Sequence, residues 1–418
     1  MLHILIGGAG CGKSTCLIQH LQKQLKAGEQ ILTLVPEQFS YEFDQKLYRI
    51  LGPVAFNQLE THSFKSLARA VFQRFGCVPD GKINADELTK MALLYQAVLQ
   101  VSEREKKLQL LGKQCRQASF VSELAMMFTQ FRRSGIPPEQ LYNSSAELNG
   151  RLQEKMLDVF EIYQRYDQLL EQHQLKDTET DLSEAAAIAN GHDAFLGDVI
   201  FLDEFESFTE DEYQMLSVLL SSGKDLYIAL RMEHTRKEPF SLFAAVQETF
   251  CKIQDMAKKL RIPVETEVCD TPYRFQAAEL SWLNQHVFRN TQPFSGEAPH
   301  LHILEAQSPT EEVDYVCATI RRLLAKDHTL RCRDIAVLSN QMTDYRSILE
   351  TAMERYKLPY YMDEKELMLY TPLLVYLHTL LGILRQTRPD TELLMRLGKT
   401  GLTSCSVEEI SDLENYCY

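Results

Sequence analysis

Residues 7–14 read Gly7-Gly8-Ala9-Gly10-Cys11-Gly12-Lys13-Ser14 and fit the pattern G-x-x-x-x-G-K-[ST]. The apolar run at residues 2–6 is typical of a buried strand, and residues 14–27 place apolar side chains at helical spacing. A strand, a glycine-rich loop and a helix N-terminus direct backbone N–H groups and the positive end of the helix dipole at one point. The sequence therefore predicts a phosphate-binding loop, with a plain glycine-rich turn as the alternative.

Two residues of this glycine loop (residues 7–14) have specific expected roles. Lys13 is expected to reach the β- and γ-phosphates of a bound nucleotide, and the Ser14 hydroxyl is expected to bind Mg²⁺. With the residue that follows, the loop forms the predicted nucleotide-binding segment, which consists of Gly7, Gly8, Ala9, Gly10, Cys11, Gly12, Lys13, Ser14 and Thr15.

Composition excludes several classes of protein. With 418 residues, 45% hydrophobic and 24% charged, the chain has the usage of a globular protein of two to four domains. No apolar run approaches the roughly 20 residues of a membrane span, and the first residues do not resemble a signal peptide, so no membrane partner is expected. The ten cysteines form no C-x-x-C pair, which suggests neither a zinc site nor a disulfide framework. A cytoplasmic location is expected.

The net charge of −14 is concentrated in one segment. Residues 137–220 hold 19 acidic and 4 basic side chains, so the rest of the chain is close to neutral. Overall charge therefore does not argue against nucleic acid as a ligand. The segment is either a solvated helical surface or an acidic face that meets a partner or repels DNA.

Apolar patterns divide the chain into four parts. Strand and helix patterns alternate in the first part and resume after a long stretch of amphipathic helical patterns, which reads as an all-helical insertion. A second alternating unit is expected to open with strands at residues 301–305 and 335–338. The parts, in this order, are residues 1–79 with 196–292, the insertion 80–195, the second unit 298–365, and a helical region 366–418. The predicted fold class is therefore α/β.

An acid pair follows an apolar strand far from the glycine loop. Residues 199–202 are a buried strand pattern, and Asp203 and Glu204 come directly after it. A nucleotide site of this kind needs a carboxylate that holds Mg²⁺, expected to be Asp203, and a base that polarises water, expected to be Glu204. The alternative is a strand whose exposed end is acidic by chance.

About 190 residues separate Lys13 from Asp203, and such a long helical insertion resembles the superfamily-one DNA helicases more than small nucleotide kinases. Three short stretches add to this resemblance: residues 34–39 (LVPEQF), 61–64 (THSF) and 271–275 (TPYRF). It implies that Gln38, Phe39, His62 and Ser63 bind single-stranded DNA. It also implies that Arg274 contacts the γ-phosphate.

Plain structural alternatives exist for Phe64, which could also contact DNA, and for two of the implied contacts, His62 and Arg274. The apolar face of the helix that begins at Phe64 would place that ring in the core. His62 would hydrogen-bond the backbone near a Ser63 N-cap. Arg274 would form a surface ion pair.

More closely, the chain resembles the B subunits of the bacterial AddAB/RexAB helicase–nucleases. The residues that carry this resemblance are 35–39, 201–209, 334–338, 397–402 and 413–416. It implies a P-loop NTPase fold, with a RecA-like parallel sheet, the start of a second RecA-like domain at 298–365 and the start of a second helical insertion at 366–418. It implies ATP and Mg²⁺ as cofactors, and an A subunit, single-stranded DNA and double-stranded DNA as partners. The implied activity is that of an ATP-dependent DNA helicase and deoxyribonuclease subunit, which processes double-strand breaks for recombination.

The same resemblance places the nuclease domain and a 4Fe–4S cluster in a C-terminal part of the family beyond these residues. The chain is therefore expected to be an N-terminal portion. Neither Cys405 nor Cys417 is expected to ligate a cluster.

Two helicase features are missing from the sequence: an adenine-reading glutamine before the glycine loop and a G-D-x-x-Q element after residues 226–230. ATP binding is therefore expected, and three readings stay open. One is a helicase-like subunit that hydrolyses ATP. Another is a scaffold that binds ATP statically and guides or scans DNA. The third is a P-loop kinase, which the long insertion and the second α/β unit disfavour.

Overall fold

A computed structural model describes residues 1–418 except 76–81, 105–107, 114–116, 147, 178–179, 236–240, 272, 288–292, 363–367, 389 and 418. The chain divides into two compact units, Met1–Leu301 and His302–Tyr418. Among the helices described, none combines the length and the apolar composition that crossing a membrane requires.

The first unit is built on a parallel sheet of six strands in the order β3-β2-β6-β7-β1-β8, and a separate pair joins β4 to β5. All four residues of β6 are buried, as expected for a parallel strand covered on both faces. The α/β class is thereby confirmed. The strands are β1 (Leu2–Gly7), β2 (Ile31–Leu34), β3 (Leu59–His62), β4 (Ile83–Asn84), β5 (Leu175–Lys176), β6 (Val199–Leu202), β7 (Asp225–Arg231) and β8 (Val264–Val268).

Eleven helices are described in this unit, and six of them cover the sheet. Because side chains alternate along a strand, β6 sends Phe201 to the face covered by α1 and α2, and Ile200 to the face covered by α3, α8, α9 and α10. The helices are α1 (Lys13–Lys26), α2 (Ser40–Phe56), α3 (Phe64–Phe75), α4 (Glu87–Leu99), α5 (Ala118–Arg133), α6 (Pro138–Ser145), α7 (Arg151–Gln172), α8 (Asp181–Gly191), α9 (Glu210–Ser222), α10 (Ala244–Lys259) and α11 (Ala278–His286).

The insertion has a hydrophobic core of its own, formed by α4, α5, α6 and α7. It is not entirely helical, contrary to the prediction, because Ile83 pairs with Leu175 and Asn84 with Lys176 in a short parallel ladder. The carboxylate of Asp158, 1% exposed, accepts hydrogen bonds from the backbone N–H groups of Gln109, Leu110 and Leu111 at 2.8 Å each. These bonds fix an irregular segment against α7.

The second unit consists of helices α12 (Pro309–Lys326), α13 (Met342–Arg355), α14 (Pro372–Leu384), α15 (Thr391–Gly398) and α16 (Val407–Cys417). The prediction of strands at 301–305 and 335–338 was wrong, since neither range is assigned as a strand. The backbone of Ile335 is extended (φ −117°, ψ 129°), but no described segment pairs with it. An apolar run becomes a strand only where a neighbouring strand satisfies its N–H and C=O groups.

Candidate nucleotide-binding site

The predicted nucleotide-binding residues follow strands that lie close together in the sheet. The glycine loop follows β1, the acid pair follows β6, and β7 lies between these two strands. All strands are parallel, so their carboxyl ends share one edge, where α/β folds bind ligands. Lys13, Ser14, Asp203, Glu204 and Arg274 line a single cavity of about 440 Å³ at this edge (the nucleotide cavity).

The glycine loop has a backbone that side chains would disturb. Gly10 (φ +74°) and Gly12 (φ +81°) occupy the left-handed region, which favours glycine. The carbonyl of Gly10 accepts hydrogen bonds from the backbone N–H groups of Tyr273 (3.1 Å) and Arg274 (3.3 Å). A Cβ atom at Gly10 would lie 2.5 Å from Cβ of Arg274, and one at Gly12 would lie 3.2 Å from the Tyr273 ring. The two glycines therefore allow the segment after β8 to approach the loop.

Lys13 is the first residue of α1 and lies partly buried beside the loop. Its Nζ donates a hydrogen bond to the Gly8 carbonyl at 2.8 Å. Burial lowers the pKa of Lys13, and so does the Arg231 guanidinium, while Cys11 and the acid pair raise it. The ammonium is thus hydrogen-bonded to the loop and lies within electrostatic range of the two carboxylates.

Asp203 is 4% exposed, and the two oxygens of its carboxylate differ in their hydrogen bonding. Its Oδ1 accepts a hydrogen bond from the Glu204 N–H at 3.0 Å, whereas its buried Oδ2 has no hydrogen-bond partner among the described residues. Burial raises the pKa of Asp203, and the nearby Ser14 hydroxyl lowers it. This hydroxyl does not form a hydrogen bond of normal geometry to Oδ2. A hydroxyl beside an unsatisfied carboxylate oxygen is a donor set that fits Mg²⁺.

Glu204 has an unusual backbone for a residue with a side chain (φ +64°). Such a conformation is uncommon outside glycine and concentrates at functional sites. The Arg231 guanidinium lies 3.9 Å from Oε2 of Glu204 and 3.5 Å from Oε1 of Glu206. Arg231 thus holds the loop after β6 to the end of β7.

A second cavity, of about 580 Å³, lies beside the first and shares Glu204, Phe205, Glu206 and Arg231 with it. Among the residues predicted to bind DNA, three line this second cavity: Gln38, Phe39 and Ser63. The loops after β2, β3, β6 and β7 surround it, together with Lys65, which has no role in the sequence-based prediction.

His62, the fourth residue predicted to bind DNA, does not line either cavity. Its Nδ1 lies 3.3 Å from the Ser66 hydroxyl, and its Nε2 lies 3.7 Å from the Glu60 carboxylate. The expected N-cap is present, because the Ser66 N–H donates to the Ser63 hydroxyl at 3.2 Å. His62 thus contacts side chains near the cap rather than the backbone.

The ring of Phe64 belongs to the core, as the helical pattern predicts. Phe64 is 4% exposed, and its ring packs edge-on against Phe205 and Phe208 at centroid distances of 5.5 and 5.9 Å. Both Phe64 and Phe205 line the second cavity, so this aromatic cluster forms an apolar wall of it.

Sequence reasoning missed six residues of the nucleotide cavity: Lys46, Phe205, Glu206, Ala229, Arg231 and Tyr273. Arg231 is the last residue of β7 and directly follows the strand predicted at residues 225–230, and this position at a strand end was the signal that could have found it. Tyr273 precedes Arg274 within residues 271–275, which carry part of the helicase resemblance. Lys46 lies within α2 and has no motif around it, and its closeness to Asp203 depends on how α2 packs.

The chain is similar to known proteins over nearly all of its length. The family model described as "ADDB, N-terminal" matches residues 4–284. Similar proteins, each named as the B subunit of an ATP-dependent helicase/deoxyribonuclease, occur in Natranaerobius thermophilus (28% identical), Clostridium tetani (29%) and Clostridioides difficile (27%), and each aligns to 99% of this chain. The chain spans 36–37% of the length of these relatives. Because the family model matches well over half of the chain, the chain belongs to the AddB family, whose N-terminal region it matches.

Proposed function

We propose that this chain binds ATP and Mg²⁺ in the nucleotide cavity, as the helicase-like part of the B subunit of a helicase–nuclease. The observation that carries the proposal is the meeting of Lys13 and Ser14 with Asp203, Glu204 and Arg274 around one cavity. Binding of a nucleoside triphosphate needs backbone N–H donors, a cation and a carboxylate that binds magnesium, and its hydrolysis also needs a base. The names of the relatives, which include ATP-dependent helicase activity, support the same reading.

In this proposal the glycine loop and Lys13 hold the β- and γ-phosphates, and Arg274 contacts the γ-phosphate. Ser14 and Asp203 would hold Mg²⁺, which when bound neutralises phosphate charge. Glu204 polarises the attacking water and accepts its proton. The left-handed backbone of Glu204 and its closeness to Arg231 fix where that carboxylate lies relative to the cavity.

The second cavity is the proposed DNA contact. Phe39 would stack on a base, and Gln38, Ser63 and Lys65 would contact the backbone or base edges. Since Arg231 and the loop after β6 line both cavities, a ligand in one would change the surroundings of the other. His62 would act only indirectly, because it does not line this cavity.

For the whole protein, the proposal follows the relatives' names together with the sequence resemblance to the B subunits of AddAB/RexAB helicase–nucleases. It is a cytoplasmic enzyme subunit that works with an A subunit on single-stranded and double-stranded DNA during the processing of double-strand breaks. The alternative is a scaffold that binds ATP without hydrolysing it. The sequence favours it, because the G-D-x-x-Q element of helicases is missing after residues 226–230.

Replacing Lys13 with alanine is expected to weaken ATP binding by about 10- to 100-fold, because one or two charge-assisted hydrogen bonds to phosphate are lost. Calorimetric titration of the chain with a non-hydrolysable ATP analogue and Mg²⁺ measures the change. Lys26→Ala is the matched control, since Lys26 is an exposed cation at the other end of α1. Unchanged affinity for ATP in Lys13→Ala, or no ATP binding by the original chain, would show that ATP does not bind in this cavity.

Replacing Phe39 with alanine is expected to weaken binding of a single-stranded oligonucleotide by about 5- to 100-fold, since one base–aromatic stack is worth about 1–3 kcal/mol. Fluorescence anisotropy at one fixed salt concentration measures this loss. Tyr41→Ala provides the control, because Tyr41 is a neighbouring aromatic side chain, 73% exposed, outside the second cavity. Equal losses in both variants, or none in Phe39→Ala, would argue against DNA at this cavity.

A further inference from the structure

A cluster of side chains suited to a transition metal lies outside both cavities. Cys16 and His20, one helical turn apart on α1, meet Glu267 of the edge strand β8. One atom from each residue (Sγ, a ring nitrogen and a carboxylate oxygen) lies within 4.8 Å of the other two. None of the three lines the nucleotide cavity or the second cavity.

The contacts inside this cluster converge on the carboxylate. The Cys16 thiol donates a hydrogen bond to Oε1 of Glu267 at 3.3 Å, and Nε2 of His20 lies 3.1 Å from Oε2. Ligand atoms that surround a tetrahedral zinc ion at 2.0–2.3 Å lie about 3.3–3.8 Å from one another. The cluster therefore needs little movement to surround one ion.

Two neighbours support the cluster. The His20 ring stacks on Tyr227 with a centroid distance of 5.2 Å, which fixes the plane of the imidazole. The Cys269 thiol, two residues beyond Glu267, lies near the Cys16 thiol and influences its pKa. Residues at i and i+2 of an extended segment face the same side, so Cys269 is placed to add a fourth ligand after a rotation of its side chain.

The geometry points to a site for a zinc-class divalent cation, bound by the Cys16 thiolate, Nε2 of His20 and a Glu267 carboxylate oxygen. Thiolate and imidazole ligands favour Zn²⁺ over Mg²⁺ and Ca²⁺, which prefer oxygen. The site is therefore chemically distinct from the proposed magnesium ligands Ser14 and Asp203.

A cation here would join two segments that frame the nucleotide cavity. Helix α1 begins directly after the glycine loop, and β8 leads into Tyr273 and Arg274, which contact the carbonyl of Gly10. Fastening α1 to β8 would hold these segments in one arrangement. The expected role of the ion is structural, and its binding does not depend on whether ATP binds.

Cobalt titration of the reduced, chelator-treated chain tests the site. About one Co²⁺ per chain is expected to bind, with a near-ultraviolet charge-transfer band from thiolate to cobalt, and Zn²⁺ is expected to displace it. Cys16→Ser should lose the band. His20→Ala and Glu267→Gln should weaken binding by more than about 100-fold, since even outer-shell partners of a metal are worth about 10- to 100-fold.

Cys251→Ser is the matched control, because Cys251 is an exposed cysteine on α10, which packs on the opposite face of the sheet. It should keep both the band and the affinity. Circular dichroism shows whether each variant folds. Glu267→Gln changes a half-exposed side chain on an edge strand, so it tests the site even where Cys16→Ser does not fold. Absence of the band in the original chain, its persistence in folded Cys16→Ser, or undiminished affinity in Glu267→Gln would overturn the proposal.

Discussion

In Glu204→Gln, ATP hydrolysis stimulated by single-stranded DNA is expected to fall by about 100- to 10,000-fold, the usual contribution of a positioned general base. Glutamine keeps the shape of the side chain but cannot accept the proton of the attacking water. Binding of ATP should remain, because Lys13, Ser14 and Asp203 are unchanged. Steady-state phosphate release with and without an oligonucleotide, next to ATP affinity by calorimetry, gives both quantities.

Glu248→Gln is a suitable control for this experiment, since Glu248 is an exposed residue of α10 that pairs with Lys252 away from the nucleotide cavity. It should hydrolyse ATP at the original rate. Equal turnover in Glu204→Gln would exclude Glu204 as the base. Tight ATP binding without ATP hydrolysis in the original chain would instead support the scaffold that binds ATP statically.

The second large effect is expected on stability. Asp158→Ala should lower the free energy of unfolding by about 2–4 kcal/mol, because three backbone N–H groups lose their acceptor and at least one of them is buried. Urea denaturation measures the loss. Hydrogen exchange should show faster exchange at Gln109, Leu110 and Leu111 than elsewhere in the insertion.

Two variants bracket this prediction. Lys155→Ala changes an exposed residue of the same helix and should shift the free energy of unfolding by no more than about 0.5 kcal/mol. Asp158→Asn keeps the volume of the side chain and one oxygen that can accept a hydrogen bond. Its loss in free energy of unfolding should therefore lie between those of Lys155→Ala and Asp158→Ala. A loss below about 1 kcal/mol in Asp158→Ala would show that these backbone groups find other partners.

Much of the first unit could be predicted from sequence because its signals are local. The apolar runs of β1 and β6 and the helical spacing of α7 each lie within one continuous stretch. The glycine loop carries its own pattern. For the acid pair, a strand end is visible in sequence, and parallel strands place such ends at one edge.

What could not be predicted depends on packing between distant residues. The contact of Lys46 with the nucleotide cavity, the pairing of Ile83 with Leu175 and the meeting of Cys16 with Glu267 join residues far apart in sequence. Strand β8, with exposed alternating charges at the sheet edge, lacks the apolar run by which its neighbours are found. The domain assignment and the roles of the site residues stay predictions.

The short pairing of β4 with β5 has an evolutionary consequence. The chain leaves the sheet-forming part at Ile83 and comes back at Leu175, which lies directly opposite. The helices between these positions have their own core and interrupt none of the six strands. One genetic deletion or replacement could therefore remove or exchange that whole helical module and leave the six strands of the sheet unchanged. Lineages can be expected to differ in its size more than in the strands.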